Sequence, residues 1–127
     1  MSQYTVALIE DDAFVAEMVN DVLEKARYRV VKATNGAEGL ILIKEHTPDI
    51  IVCDRNMPEM SGFEMLQLIR TELKEFDKIP FIFLTGLNDP RDKRAAEGLR
   101  PTKYLTKPID VDSLLEAVQS ALQSAAA

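Results

Sequence analysis

Apolar runs of strand length alternate with stretches of helical period along this 127-residue chain. The first run, Thr5 to Glu10, predicts a strand. Phe14, Val15, Met18, Val19, Val22 and Leu23 then recur at three and four residues, which predicts one apolar stripe on a helix ending near Ala26. A second strand is expected over Arg29 to Ala33. Thr34-Asn35-Gly36 is turn chemistry, and a second helix through Leu40, Ile41 and Ile43 is stopped by Pro48. Ile50 to Cys53 and Phe81 to Leu84 are unbroken apolar runs, the pattern of central parallel strands buried on both faces.

Ser61-Gly62-Phe63-Glu64 has the spacing of a capping box and opens a third helix through Leu66, Ile69 and Leu73. A fourth helix is expected over roughly Pro90 to Leu99 and a short fifth strand around Tyr104. Asp110 caps a last, fifth helix through Leu114, Leu115, Val118 and Leu122. Strand and helix alternate with short connections. That order predicts an α/β fold: a doubly wound five-stranded parallel sheet of the flavodoxin-like kind, covered by five helices on both faces, with ligands at the carboxyl ends of the strands. Residues 1–123 read as one domain and 124–127 as a C-terminal tail or the start of a linker.

Composition narrows the function. With 15 Lys plus Arg against 21 Asp plus Glu the formal charge is −6, which argues against generic phosphate-backbone binding, so no direct nucleic-acid partner is expected. The balance of 46% hydrophobic and 28% charged residues is globular, not disordered. The lone cysteine, Cys53, excludes an internal disulfide and, with His46 the only histidine, leaves no zinc-ligand cluster. Cys53 reads as a small buried hydrophobe. His46, ahead of Thr47-Pro48, reads as an exposed loop residue without a role in catalysis. No run approaches the roughly 20 apolar residues of a membrane span and no secretory leader pattern opens the chain, so the expectation is a cytoplasmic protein without membrane insertion.

The chemistry gathers at one edge. Strand one runs into Glu10-Asp11-Asp12, strand three into Asp54, strand four into Thr85-Gly86, and Lys107-Pro108 follows strand five. Asp12 by itself reads as a helix cap. Capping does not explain a lysine and a threonine on the same edge as Glu10, Asp11 and Asp54. Carboxylates from neighbouring strands repel in a partly buried cleft unless their pKa values rise or a cation joins them, and an oxygen-only set suits magnesium. A lysine and a hydroxyl beside such a cation make the kit for holding a phosphoryl group. Asp54, ending a central strand ahead of the irregular loop Arg55-Asn56-Met57-Pro58, is the candidate to attack phosphorus and carry an acyl phosphate.

These motifs resemble the receiver domain of response regulators in two-component signalling, over nearly the whole chain. Val6-Ala7-Leu8-Ile9-Glu10-Asp11-Asp12 is similar to the family's first strand and acidic pair, and Pro48 through Gly62 to its phosphoacceptor region. Phe83-Leu84-Thr85-Gly86 is similar to the switch-threonine strand, and Tyr104-Leu105-Thr106-Lys107-Pro108 to the aromatic switch and phosphate-pairing lysine. The resemblance implies strand order 2-1-3-4-5 and phosphorylation of Asp54. It implies Mg2+, for which Mn2+ can substitute, held by Asp11, Asp54 and the Asn56 backbone carbonyl, with Glu10 acting through water. It also implies a cis Lys107-Pro108 bond and a switch in which the Thr85 hydroxyl moves to the phosphoryl group and Tyr104 turns inward. The implied role is a single-domain response regulator, not an enzyme: it takes a phosphoryl group from phosphohistidine or a small donor and later loses it. The implied partners are a sensor histidine kinase or phosphotransfer protein and a downstream target protein at the face of helix 4, strand 5 and helix 5.

Three departures bear on this. Gly98 to Lys103 is about one residue longer than the family's usual connection and lacks its Gly-Ala turn. Arg91, Lys93, Arg94, Arg100 and Lys103 make this region basic, suited to an acidic partner or simply a solvated face. Leu87 is apolar where many relatives are polar, near the route of the hydrolytic water, which predicts slow loss of phosphate. Arg55 is a candidate partner for Glu10 or Asp12, with a solvent-facing side chain as the alternative. Rival functions fit less well. A magnesium-dependent aspartyl phosphatase needs Asp-x-Asp after the first strand, and a flavodoxin-type carrier needs a Ser/Thr/Gly-rich loop there. A phosphorylation-independent binding module of the same fold is the remaining alternative, and its usual sign, loss of the acceptor or the lysine, is missing.

Overall fold

A computed structural model describes residues 3–55, 57, 59–86 and 103–126. Five parallel strands, β1 (Thr5–Ile9), β2 (Arg29–Ala33), β3 (Ile50–Asp54), β4 (Phe81–Thr85) and β5 (Lys103–Thr106), form one sheet in the order β2-β1-β3-β4-β5. The helices described are α1 (Ala13–Lys25), α2 (Gly36–His46), α3 (Gly62–Thr71) and α4 (Val111–Ala126), with a 3-10 turn over Lys74–Phe76. The helix expected over Pro90 to Leu99 lies outside the described residues, so the last helix, fifth in the sequence reading, is α4 here. It runs on to Ala126, through residues read as a tail.

Alternation along the buried strands splits the core in two. Ala7, Ile9, Ile51, Cys53, Phe81 and Phe83 pack with Ile43, Met65, Leu66 and Ile69 of α2 and α3. Val6, Leu8, Ile50, Val52, Ile82 and Leu84 pack with Val19, Leu23, Leu114 and Val118 of α1 and α4. The central strands are buried on both sides, which is why they carry no polar residue before their ends.

Two apolar residues assigned to helix stripes are not in the core: Phe14 is 82% exposed and Ile41 58%. Phe14 occupies the first turn of α1, at the rim where β1 has already ended. α2 packs on the sheet's β1–β2 side through Gly39 and Ile43, with Leu40 and Leu42 partly buried against the same core, and of the expected stripe only Ile41 faces out. His46 ends α2 instead of lying in a loop; Thr47 follows in the left-handed conformation, φ 43°, with Pro48 behind it.

Side chains start the helices as their sequences require. Asp12 accepts from Phe14 N at 2.9 Å, Asn35 from Glu38 N at 2.9 Å, and Asp110 from Ser113 N at 2.9 Å. At α3 the capping box is complete: Ser61 Oγ accepts from Glu64 N at 3.2 Å and Glu64 Oε1 from Ser61 N at 3.4 Å. Ser61→Ala removes a cap and strands an amide, so a loss of about 1 kcal/mol in urea unfolding is expected. An unchanged midpoint would show the box to be idle.

Candidate functional site

The register of the sheet brings distant residues together. Ile9 pairs with Cys53, so Glu10 and Asp54 stand side by side just past that pair. Glu10 continues the line of β1 by donating its N–H to Ala33 O at 3.0 Å, and its Oε2 accepts from Asp12 N at 3.1 Å. Both acids are buried, Glu10 to 1% exposure and Asp54 to 5%. Lys107 follows β5, with its N–H donated to Thr85 O at 2.8 Å. From there its stem crosses the end of β4, placing Nζ 3.0 Å from Glu10 Oε1 and 3.3 Å from Asp54 Oδ1. The Lys107-Pro108 peptide is cis.

Burial, reinforced by the negative charge of Asp54, pushes Glu10 up to about 7 against the opposing pull of Lys107 and the Asp12 amide. Burial also raises Asp54, with Lys107 working the other way. For Lys107, burial disfavours the ammonium, but the hydrogen bond to Glu10 and the charges of Asp54 and Glu10 outweigh it and hold its pKa above the ordinary 10.5. The thiol of Cys53, fully buried and donating to Asp54 O at 3.2 Å, is pushed well above its ordinary value by burial, with Asp54 and Glu10 adding to the effect. It is a core residue, as its sequence position suggested.

The single charge of Lys107 does not balance the two buried carboxylates beside it. Oxygens of Glu10, Asp11 and Asp54 lie within 4.8 Å of one another, and Asp11 alone of the three is exposed. Glu10 Oε1 is buried with the Lys107 ammonium 3.0 Å away. A clustered, oxygen-only, under-neutralised set with an exposed member for entry fits a hard divalent cation. Asp54→Asn relieves the crowding while Lys107 keeps Glu10. The metal-free fold is therefore expected to gain on the order of 1 kcal/mol at neutral pH, read by urea unfolding. A loss of that size would mean that Asp54 is held by its partners more strongly than it is penalised by burial.

The other predicted residues fall nearby. Thr85 ends β4, one step past Leu84, the register partner of Asp54, and is 3% exposed. Tyr104 sits half-buried on β5 opposite Phe83, the two rings stacked at 5.7 Å and 23°. Arg55 lies with its guanidinium carbon 5.1 Å from the centre of the Phe63 ring. Asn56, Leu87 and the basic run through Arg100 are outside the described residues; Lys103 is the exposed first residue of β5.

Sequence reasoning missed one contact. A Cβ on Gly62, in the first turn of α3, would lie 2.5 Å from Asp54 O and 2.9 Å from Phe83 Cε1. Residue 62 is a glycine where the end of β3 and the start of α3 touch. The only sequence signal was a glycine inside a capping box, which capping itself does not require.

A five-stranded parallel sheet in the order β2-β1-β3-β4-β5, with clustered acids and a lysine at its carboxyl edge, defines the class of protein. The chain belongs to the response regulator receiver domain family, whose model matches residues 6–119. It is thus a receiver domain of two-component signalling. It is 31% identical over 121 residues to the polar-differentiation response regulator DivK of Brucella anthropi, covering 95% of this chain and 98% of DivK. It is 34% identical over 118 residues to the DNA-binding dual master transcriptional regulator RpaA of Synechocystis, covering 93% of this chain and 48% of RpaA. The chain thus spans about half the length of that relative. Among solved structures it matches a putative response regulator from Chloroflexus aurantiacus, with TM-score 0.90, 30% identity and 96% and 99% coverage. Chemotaxis protein CheY4 of Vibrio cholerae matches with TM-score 0.89, 29% identity and 94% and 99% coverage. Among the described residues no helix is long and apolar enough to cross a membrane.

Proposed function

We propose that Asp54 accepts a phosphoryl group and that the domain signals by the resulting change of surface. The observation that carries this reading is the convergence of Asp54, Glu10 and Asp11 with the Lys107 ammonium at one strand edge. An Asp54 carboxylate oxygen attacks phosphorus of a phosphohistidine or a small acyl phosphate. A P–O bond forms, the donor's P–N or P–O bond breaks, and the donor leaves with the electron pair. Lys107, already over Asp54, offers its charge to the incoming phosphoryl oxygens, and the buried surroundings strengthen that attraction. Glu10, Asp11 and Asp54, with the Asn56 carbonyl by family resemblance, would hold Mg2+ or Mn2+. When bound, that ion neutralises charge developing on the phosphoryl oxygens.

Phosphorylation adds charge and acceptor oxygens to Asp54. Thr85 answers with its hydroxyl and Tyr104 responds on β5, so the output is a protein contact on the side of β5 and α4. The donor would be a sensor histidine kinase or phosphotransfer protein, and the receiver of the signal a downstream target protein. The net charge of −6 supports a protein target over direct binding to nucleic acid.

The test is incubation with acetyl phosphate and magnesium, followed by intact mass. The expected result is gain of one phosphoryl group that Asp54→Ala and chelation each abolish. No gain, or gain that survives Asp54→Ala, would overturn the assignment and favour a phosphorylation-independent binding module.

A further inference from the structure

We propose that Phe63 and Phe83 are positioning residues of the switch, carrying a change at Asp54 to Tyr104 through a continuous packed line on the α2–α3 face of the sheet. This rests on the reading that Asp54 is the phosphoryl acceptor. The line starts at Arg55, the residue after Asp54, whose N–H is donated to Leu84 O at 3.0 Å. Its guanidinium lies over Phe63, 5.1 Å from the ring centre. Phe63 meets Phe83 edge-on, with centroids 4.9 Å apart and planes at 70°. Phe83 stacks on Tyr104, its register partner on β5, at 5.7 Å and 23°. Each contact in this series is one whose strength depends on ring orientation.

Three further observations make the line mechanically tight. Gly62 N–H is donated to Arg55 O at 2.9 Å, so the first turn of α3 is tied to the residue after the acceptor. At Gly62 there is no room for even a methyl group between Asp54 O and the edge of Phe83. Phe81 backs Phe83 at 4.9 Å, and Phe83 is fully buried. A close-packed interior does not absorb such a displacement by compression. When charge is added at Asp54 and the strand end shifts, Phe63 and Phe83 move with it, and Tyr104, half-buried at the end of the line, moves in turn. This path runs through the core and is separate from any movement of Thr85 at the strand edge.

Spatial continuity alone does not establish coupling, so the test reads Tyr104 itself. The protein is labelled with 3-fluorotyrosine, and the Tyr104 resonance is assigned by its loss in Tyr104→Phe. Tyr4 and Tyr28 serve as internal reporters of folding. The 19F shift of Tyr104 is compared before and after acetyl phosphate with magnesium, in parallel with intact mass. The unsubstituted protein is expected to gain mass and shift Tyr104. Phe63→Leu and Phe83→Leu are expected to gain mass to the same extent, keep the Tyr28 resonance in place, and show a Tyr104 shift reduced at least twofold.

Phe63→Leu is the decisive variant, because Phe83 separates it from Tyr104 and its effect cannot be simple loss of a neighbour. A full-sized Tyr104 shift in Phe63→Leu overturns the proposal. If Phe83→Leu loses the Tyr28 signal through misfolding, Phe63→Leu decides alone. Failure of the unsubstituted protein to gain mass defeats the acceptor reading and this inference with it. Normal mass gain with an unaltered variant response defeats this inference only.

Discussion

Lys107→Met is expected to be among the most damaging single changes in this protein, lowering stability by about 3 kcal/mol without magnesium and slowing phosphorylation on the order of a hundredfold. The side chains of Glu10 and Asp54 are 0% and 8% exposed, and Nζ stands 3.0 Å and 3.3 Å from them. Removing the ammonium leaves two buried acids facing each other, which costs far more than loss of an exposed ion pair. Methionine keeps most of the stem, so packing is not the issue. Two further measurements separate the charge effect from a general loss. In a Glu10→Gln background the same substitution should cost less than half as much, because one of the two stranded charges is gone. Millimolar magnesium should raise the melting temperature of Lys107→Met more than that of the unsubstituted protein, because the cation replaces missing charge at Glu10, Asp11 and Asp54. A loss below about 0.5 kcal/mol, or one indifferent to Glu10, would show that water already compensates these acids.

Gly62→Ala is expected to destabilise by about 2 to 3 kcal/mol, against the usual sign of a glycine-to-alanine change inside a helix. The added methyl would lie 2.5 Å from Asp54 O, a backbone atom, and 2.9 Å from the buried Phe83 ring, so neither neighbour can swing aside. Either α3 lifts off the sheet or the end of β3 is displaced. Both should also slow phosphoryl uptake at Asp54, because the carbonyl of this proposed acceptor is the point of collision. Gly86→Ala is the control: among the described residues nothing lies within 4 Å of a Cβ there, and no comparable loss is expected. Urea unfolding of the two variants side by side gives the answer, and a neutral or stabilising Gly62→Ala would mean that the junction has slack.

The capping residues were open to reading because a cap is a local event. Asp12, Ser61 and Asp110 lie within three residues of the amides they serve, while Asn35, read as turn chemistry, also caps α2. Strand boundaries moved by a residue at several ends: Glu10 falls outside β1, while Asp54 and Thr85 are the last residues of β3 and β4. Those three are polar residues at the carboxyl edge, where pairing stops and chemistry begins, so apolar pattern alone does not place the boundary. Phe14 and Ile41 show the opposite failure. Their spacing is that of core residues, but spacing counts positions on a helix and does not show where the sheet beneath it ends.

By itself the sequence determined the alternation of strand and helix, the caps that start the helices, and the presence of Glu10, Asp11, Asp54, Thr85 and Lys107 at strand ends. Each of these depends on a residue and its near neighbours. Only the tertiary structure decided that Lys107 reaches across the end of β4 to both Glu10 and Asp54, that Gly62 has no space for a side chain, and that Arg55, Phe63, Phe83 and Tyr104 form one line. Those contacts join residues on different elements, from eight positions apart for Arg55 and Phe63 to 97 for Glu10 and Lys107. They exist because strand order and register, settled by burial of apolar surface on both faces of the sheet, bring together positions that periodicity treats separately.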